Sequence, residues 1–463
     1  MISINKDKTG IFASPLDGII MDSLIKAAQL ILSLSILVVL HELGHFIPAK
    51  LFKTRVERFF LFFDPWFALF KKRVRGTLYG IGWIPLGGYV KIAGMIDESF
   101  DKTHTKRPLQ PWEFRSKPAW QRLIIMLGGV IVNALLSVII FAGLLFYYGE
   151  TYLLTKNMKY GIAVDSVGRQ LGVENGDFVR AVDGQPVERF KDLPKAIVLG
   201  KNITVDRMGR TINIPLNDNK KRILFDRKEL GLFITPRIPS IIKGVVKNSA
   251  ADKAGLKTGD EIAAINSEPV FFSDQVREIL PQYKDIIITL SINREGQLFE
   301  RTAHIDARGL LGIGFSEVKD LYKIFKVEKK NYTILESIPA GVARTRETLM
   351  DQVNFFKQIF NTETKAYKQV GSIFSIVKIF SPQWDWEIFW GLTATLSIWL
   401  AFLNLLPIPA LDGGYVLFTL LEMIRGKRIN EKFLDRAITT GFILMTFLMI
   451  IVLSWDTFRN FFS

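Results

Sequence analysis

The chain has 463 residues, 49% hydrophobic and 23% charged, with a net charge of +15, which excludes both a disordered chain and a pure membrane bundle. It has no cysteine, so a disulfide scaffold, a Cys-ligated zinc site, an iron–sulfur cluster and a cysteine nucleophile are excluded. Its four histidines are His41, His45, His104 and His304, so any metal site needs carboxylate help.

Residues 1–20 are mixed and polar and read as an N-terminal extension, with Met21 a candidate start. Residues 27–49 then carry no charge except at His41, Glu42 and His45, predicting a first apolar helix over about 21–46. It ends in HELGH, not in a small-residue cleavage site, so it does not read as a secretory signal peptide. Residues 47–118 hold 14 Lys and Arg against 6 Asp and Glu. Three more charge-free runs follow, at 123–149, 388–411 and 437–455, predicting helices over about 119–148, 386–405 and 436–455. Each is long enough to cross a bilayer, which needs about 20 apolar residues. Four such runs exceed what soluble cores use. The basic loops after helix one and between helices three and four should face the cytoplasm. Both termini and the long middle region then lie on the other side. No nucleic-acid module is visible, and the net positive charge reads as lipid contact and topology.

The middle region repeats itself. LGVENGDFVRAVDGQPV (171–187) aligns with AGLKTGDEIAAINSEPV (254–270) at a constant offset, pairing Gly172 with Gly255, Gly176 with Gly259 and Asp177 with Asp260. Gly-x-x-x-Gly-Asp followed by alternating apolar residues reads as a helix end, a tight turn and a strand. The pattern resembles tandem PDZ domains, expected over 155–236 and 237–318. PDZ domains bind peptides by adding a strand at a sheet edge. After them, Val342, Leu349, Val353, Phe356 and Phe360 recur at helical spacing, predicting an amphipathic helix over 336–361. Such a helix either lies on the membrane surface or packs against the PDZ pair.

HELGH carries the chemistry. On a helix, residues i and i+4 share a face, so His41 and His45 can grip one ion with Glu42 beside it. Zinc suits two imidazoles and one carboxylate with a fourth position for water, and Glu42 would act as general base. Ionisable residues in a membrane segment are costly and usually functional. The third ligand is expected to be Asp412 in PALDGG, where Pro407, Pro409, Gly413 and Gly414 break the third helix.

HELGH in the first helix, a PDZ insertion, IPLGGYVKIAGM at 84–95 and NLLPIPALDGG at 404–414 together resemble the site-2 protease family of intramembrane zinc metalloproteases, in particular its Gram-negative branch with two PDZ domains. The resemblance implies a polytopic α-helical membrane protein of four transmembrane helices. It also implies a membrane-reentrant β-hairpin over about 76–95 and the tandem PDZ insertion of α+β type. His41, His45 and Asp412 would be the zinc ligands and Glu42 the general base. Asn404 and the edge strand at Gly87, Gly88 and Tyr89 would hold the substrate. That edge has an independent reason: a scissile segment must be extended, and its freed backbone groups need partners in a low-dielectric site. One departure is GGVIVN (128–133), with Val130 where the family has proline.

The activity implied is hydrolysis within single-span membrane proteins, anti-sigma factors or signal-peptide remnants, after an upstream site-1-type protease has cut the same substrate. The location implied is a bacterial inner membrane, with the PDZ pair periplasmic and the active site near the cytoplasmic side. The PDZ pair is expected to act as a substrate size filter, the alternative being capture of a new C-terminus. Competing classes are a membrane scaffold with a vestigial HELGH and a transporter; the latter usually shows inverted membrane repeats, which this chain lacks.

Overall fold

The computed structural model describes residues 15–95, 108–226, 233–315 and 324–461. Residues 1–14 of the N-terminal extension and the expected boundary at 318 lie outside them. The elements in chain order are α1 (Pro15–Leu51), β1 (Val56–Phe63), β2 (Phe70–Val74), β3 (Thr77–Ile81), β4 (Ile84–Ile92) and α2 (Ala119–Tyr148). The middle region follows with β5 (Glu150–Leu153), β6 (Ile162–Val164), α3 (Ser166–Leu171), β7 (Phe178–Val182), α4 (Leu193–Leu199), β8 (Asn202–Arg207), β9 (Arg210–Pro215), α5 (Asp218–Phe225) and β10 (Ile234–Pro236). It continues with β11 (Ile242–Val245), α6 (Ala250–Lys253), β12 (Glu261–Ile265), β13 (Glu268–Pro269), α7 (Ser273–Ile279), β14 (Ile287–Arg294), β15 (Gln297–His304), β16 (Ile313–Phe315) and β17 (Val327–Lys330). The chain ends with α8 (Ile334–Ile359), α9 (Ile373–Ile379), α10 (Trp386–Leu405), α11 (Asp412–Arg425) and α12 (Glu431–Phe461).

These elements form two units, one of residues 150–330 with 358–368, the other of the remaining chain. In the second of these, four helices are long and apolar enough to cross a membrane: Ile20–Leu51, Ala119–Tyr148, Trp386–Leu405 and Glu431–Phe458. The expected bounds of the second and third coincide with α2 and α10. Asp385 caps the start of α10, its side chain accepting from the amides of Glu387 and Ile388. Helices α1 and α2 meet almost backbone to backbone, because a Cβ on Gly128 would sit 1.9 Å from the Gly44 carbonyl oxygen. The buried pair Arg122 and Glu422 joins α2 to α11.

The expected hairpin at 76–95 takes a different form. The sheet order is β2-β3-β1-β4, so β3 and β4 do not pair with each other. Both pair with β1, β3 parallel and β4 antiparallel. The tight hairpin is β2–β3, turned by Arg75 and Gly76 at φ 46° and 82°, the two positive angles of a twist-compatible two-residue turn. Strand β4 is the edge of the sheet, with its second side unpaired among the described residues.

Helix α8 covers most of the expected amphipathic stretch. Within its own unit its buried positions are small residues spaced four apart, Ser337, Gly341 and Thr345, of which Gly341 and Thr345 meet α2, while Phe356 meets α10. Thr345 Oγ1 lies 3.3 Å from Ser137 Oγ, a Cβ on Gly341 would sit 2.8 Å from the Ala142 nitrogen, and Phe356 meets Phe402 edge-on at 5.7 Å. Small residues let helix backbones approach, so this stripe is buried while the larger Ile338 and Val342 stay exposed.

In the other unit, β5 pairs with β17 and ties its two ends together. Its halves share the order strand, helix, strand, helix and three strands, with α5 added only in the first and β13 only in the second. Strands β7-β8-β9 with β6-β10 make one half; β13-β12-β14-β15 with β11-β16 make the other. The repeated Gly-Asp has one structural meaning in both. Asp177 and Asp260, at 0% and 1% exposure, each receive two bonds from an arginine at the end of the matching strand, Arg207 and Arg294. Each also accepts a turn amide at 2.8 Å, from Glu174 and Lys257. A single apolar core runs through both halves.

Candidate metal centre

Helix α1 carries His41, Glu42 and His45, one turn apart, on the stretch that crosses α2. The chain leaves α10 at Leu405, turns through Pro407 and Pro409 with Ala410 at φ 89°, and re-enters helix at Asp412. The turn is tight enough that a Cβ on Gly413 would sit 2.2 Å from the Leu406 carbonyl oxygen. The first residue of α11 is thereby aimed at α1.

Asp412 Oδ2 lies 3.2 Å from His41 Nε2 and 3.3 Å from His45 Nε2, and the two Nε2 atoms are 3.2 Å apart. Both histidines are buried. Gly129 of α2 makes the room: a Cβ there would sit 2.5 Å from His41 Cε1 and 2.5 Å from His45 Nε2.

Hydrogen bonding shows whether a cation fits. His45 Nδ1 lies 2.8 Å from the Ile125 carbonyl oxygen, which can only accept, so Nδ1 donates and in the neutral ring Nε2 keeps its lone pair. Asn133 of α2 is fully buried, its amide 3.1 Å from His41 Nδ1 and its Oδ1 without a partner. The amide orientation that satisfies Oδ1 turns it toward His41 Nδ1–H, leaving that Nε2 bare as well. Asp412 Oδ2 receives no donor either. With both rings neutral, three lone-pair atoms face one another at 3.2–3.3 Å, an arrangement that a cation would satisfy. A tetrahedral zinc with ligand bonds of about 2.0–2.1 Å needs ligand atoms about 3.3 Å apart, so the donor set fits. Among the described residues this is the one group of three His, Cys, Asp or Glu side chains so arranged.

The Glu42 carboxylate lies beside this cluster and faces the backbone of Val90 on β4. Asn404 of α10 places its Nδ2 3.3 Å from His41 Nε2. The structure therefore brings together His41, Glu42, His45, Asn404 and Asp412. Gly87, Gly88 and Tyr89 sit on β4 just before Val90. Gly88 lets the strand approach α1, since a Cβ would sit 2.6 Å from Val38 Cγ1. The Tyr89 side chain turns back to β1, stacked on Phe60 at 5.4 Å and donating to Asp64 Oδ1 at 2.8 Å, so what the strand offers is its backbone edge.

Asn133 was missed as a site residue. The signal was available: it is the one amide in the charge-free run 123–149. Asn133→Ala is expected to lower zinc affinity by about 10–100-fold, the usual cost of losing a ligand's hydrogen-bond partner. Titration against a chelator of known affinity checks this; Asn133→Asp, which keeps an acceptor, should retain most of it.

The profile of peptidase family M50 matches residues 29–448. Similar proteins include a zinc metalloprotease, so named, of Neisseria meningitidis, 27% identical over 93% of this chain and 98% of its own. Proteins named regulator of sigma E protease are 26% identical in Haemophilus influenzae and 28% identical in Salmonella typhi, each over 93% of this chain and 98% of its own.

Proposed function

The chain belongs to peptidase family M50 and is a zinc metalloprotease of membranes, and we propose that it cleaves single-span membrane proteins within the bilayer. The observation that carries this is the seat of the donor set: His41 and His45 lie inside an apolar helix long enough to span, and Asp412 follows directly on another. His41, His45 and Asp412 would hold the zinc. When bound, zinc supplies a Lewis acid that polarises the scissile carbonyl and acidifies water. Glu42 takes the proton from the attacking water and returns it to the leaving amine.

The substrate strand adds to the free edge of β4 at Gly87, Gly88 and Tyr89, which satisfies its backbone where water is scarce. Asn404 supplies a side-chain donor and acceptor for the same backbone. The relatives' sigma E names support an anti-sigma factor as substrate, trimmed beforehand by another protease. The basic loops support an inner-membrane orientation with the centre near the cytoplasmic side and residues 150–330 periplasmic.

The two like-ordered halves of the other unit support tandem PDZ domains, and they act as a size filter. All the candidate ligands lie outside them. In proteoliposomes, a trimmed single-span substrate should be cleaved and the same substrate carrying a folded outer domain should not. Removing about residues 155–310 with a short linker should permit both. Loss of cleavage of the trimmed substrate by a zinc-loaded deletion protein would show instead that the domains capture a peptide.

A further inference from the structure

The four-stranded sheet carries a surface that the proteolytic reading leaves unused. Strand β2, at the edge opposite β4, is exposed at all five positions. At its start stands an aromatic tip. Trp66 is 90% exposed, Trp83 stacks on it at 6.1 Å and on Phe67 at 5.7 Å, and Leu69 and Phe70 are also exposed. Along the strand and its turn follow Lys71, Lys72, Arg73 and Arg75, with no ion-pair partner among the described residues.

Stacked exposed rings of this size mark an interaction surface. The cations beside them require that surface to be both apolar and anionic. The sheet begins five residues after α1 ends, so it stands where a membrane-spanning helix leaves the bilayer. Trp is favoured at that depth, and Lys and Arg are drawn to anionic headgroups there. We propose that β2 and the Trp66–Phe70 and Trp83 tip form a docking surface for anionic phospholipid, the rings at the headgroup–acyl boundary and the four cations on the phosphates. The ladder β2-β3-β1-β4 then joins the lipid contact to β4, the strand that faces Glu42. The inference rests on the membrane placement of α1, and its test does not depend on cleavage.

The full chain, zinc-loaded, is placed in nanodiscs containing brominated phosphatidylglycerol or brominated phosphatidylcholine. Tryptophan quenching should be stronger with the anionic lipid, and Trp66→Phe with Trp83→Phe should remove most of that difference. Replacing Lys71, Lys72, Arg73 and Arg75 by Gln should lower the anionic preference about fivefold per cation removed. Lys71→Arg with Lys72→Arg should keep it. Zinc content reports that each variant is folded. Equal quenching by the two lipids overturns the proposal. So does a preference that survives the four Gln substitutions, or one that the two Phe substitutions leave untouched, because the tip would then face protein or water.

Discussion

Glu42→Gln is expected to keep its zinc and lose cleavage by at least about 10²–10⁴-fold, the usual contribution of a positioned general base. The three donors His41, His45 and Asp412 make their contacts without Glu42. The amide is isosteric with the carboxylate and can still meet the Val90 strand, so the fold around it should not change. What it cannot do is accept a proton from water. Metal analysis of the purified variant and cleavage of a single-span substrate in proteoliposomes check the two halves of the statement. Substantial cleavage by a zinc-loaded variant would sink the assignment of Glu42; absence of zinc would mean that Glu42 helps hold the metal.

Asp412→Ala should lose both zinc and activity. It removes one of three donors and the only charged one, so zinc affinity should fall by more than the about 10–100-fold that loss of a supporting partner costs. The two Nε2 atoms remain, held by Ile125 and Asn133 from behind. Two imidazoles on one helix form an incomplete site. Asp412→Asn keeps an oxygen in place without its charge and should retain zinc partially while remaining inactive. Chelator competition on the three proteins gives the order wild type, Asn, Ala. Wild-type affinity in Asp412→Ala would mean that the third ligand lies elsewhere. Helix α11 is independently anchored through Glu422 to Arg122, so the variant should fold.

Much of the membrane unit was legible because its signals are local. A helix in lipid satisfies its own backbone, so charge-free length alone marks it, and α2 and α10 each take up most of their run. His41 and His45 are neighbours by the pitch of one helix. The Gly-Asp repeat was also readable as a turn, although its partners Arg207 and Arg294, some 30 residues on, were not.

Where contacts are distant, the sequence was silent or misleading. The family resemblance implies a hairpin over 76–95, yet β1 lies between β3 and β4. Strand pairing is an agreement between two segments, and nothing in either one names its partner. Helix α8 reads by its large apolar residues as a helix on the membrane surface or against the PDZ pair, while the residues it buries are the small Ser337, Gly341 and Thr345.

By itself the sequence determined the four apolar helices, the HELGH pair, the repeat and the chemistry that a zinc protease needs. The sequence offered Asp412 and the strand at Gly87 as candidates, but only the tertiary structure decided how closely Asp412 faces that pair, that Asn133 turns to His41, that Gly129 clears the space and that β1 lies between β3 and β4. The reason is physical: a metal site is a set of lone pairs converging on one point, and convergence from α1, α2 and α11 is set by helix packing at backbone contact rather than by spacing along any one of them.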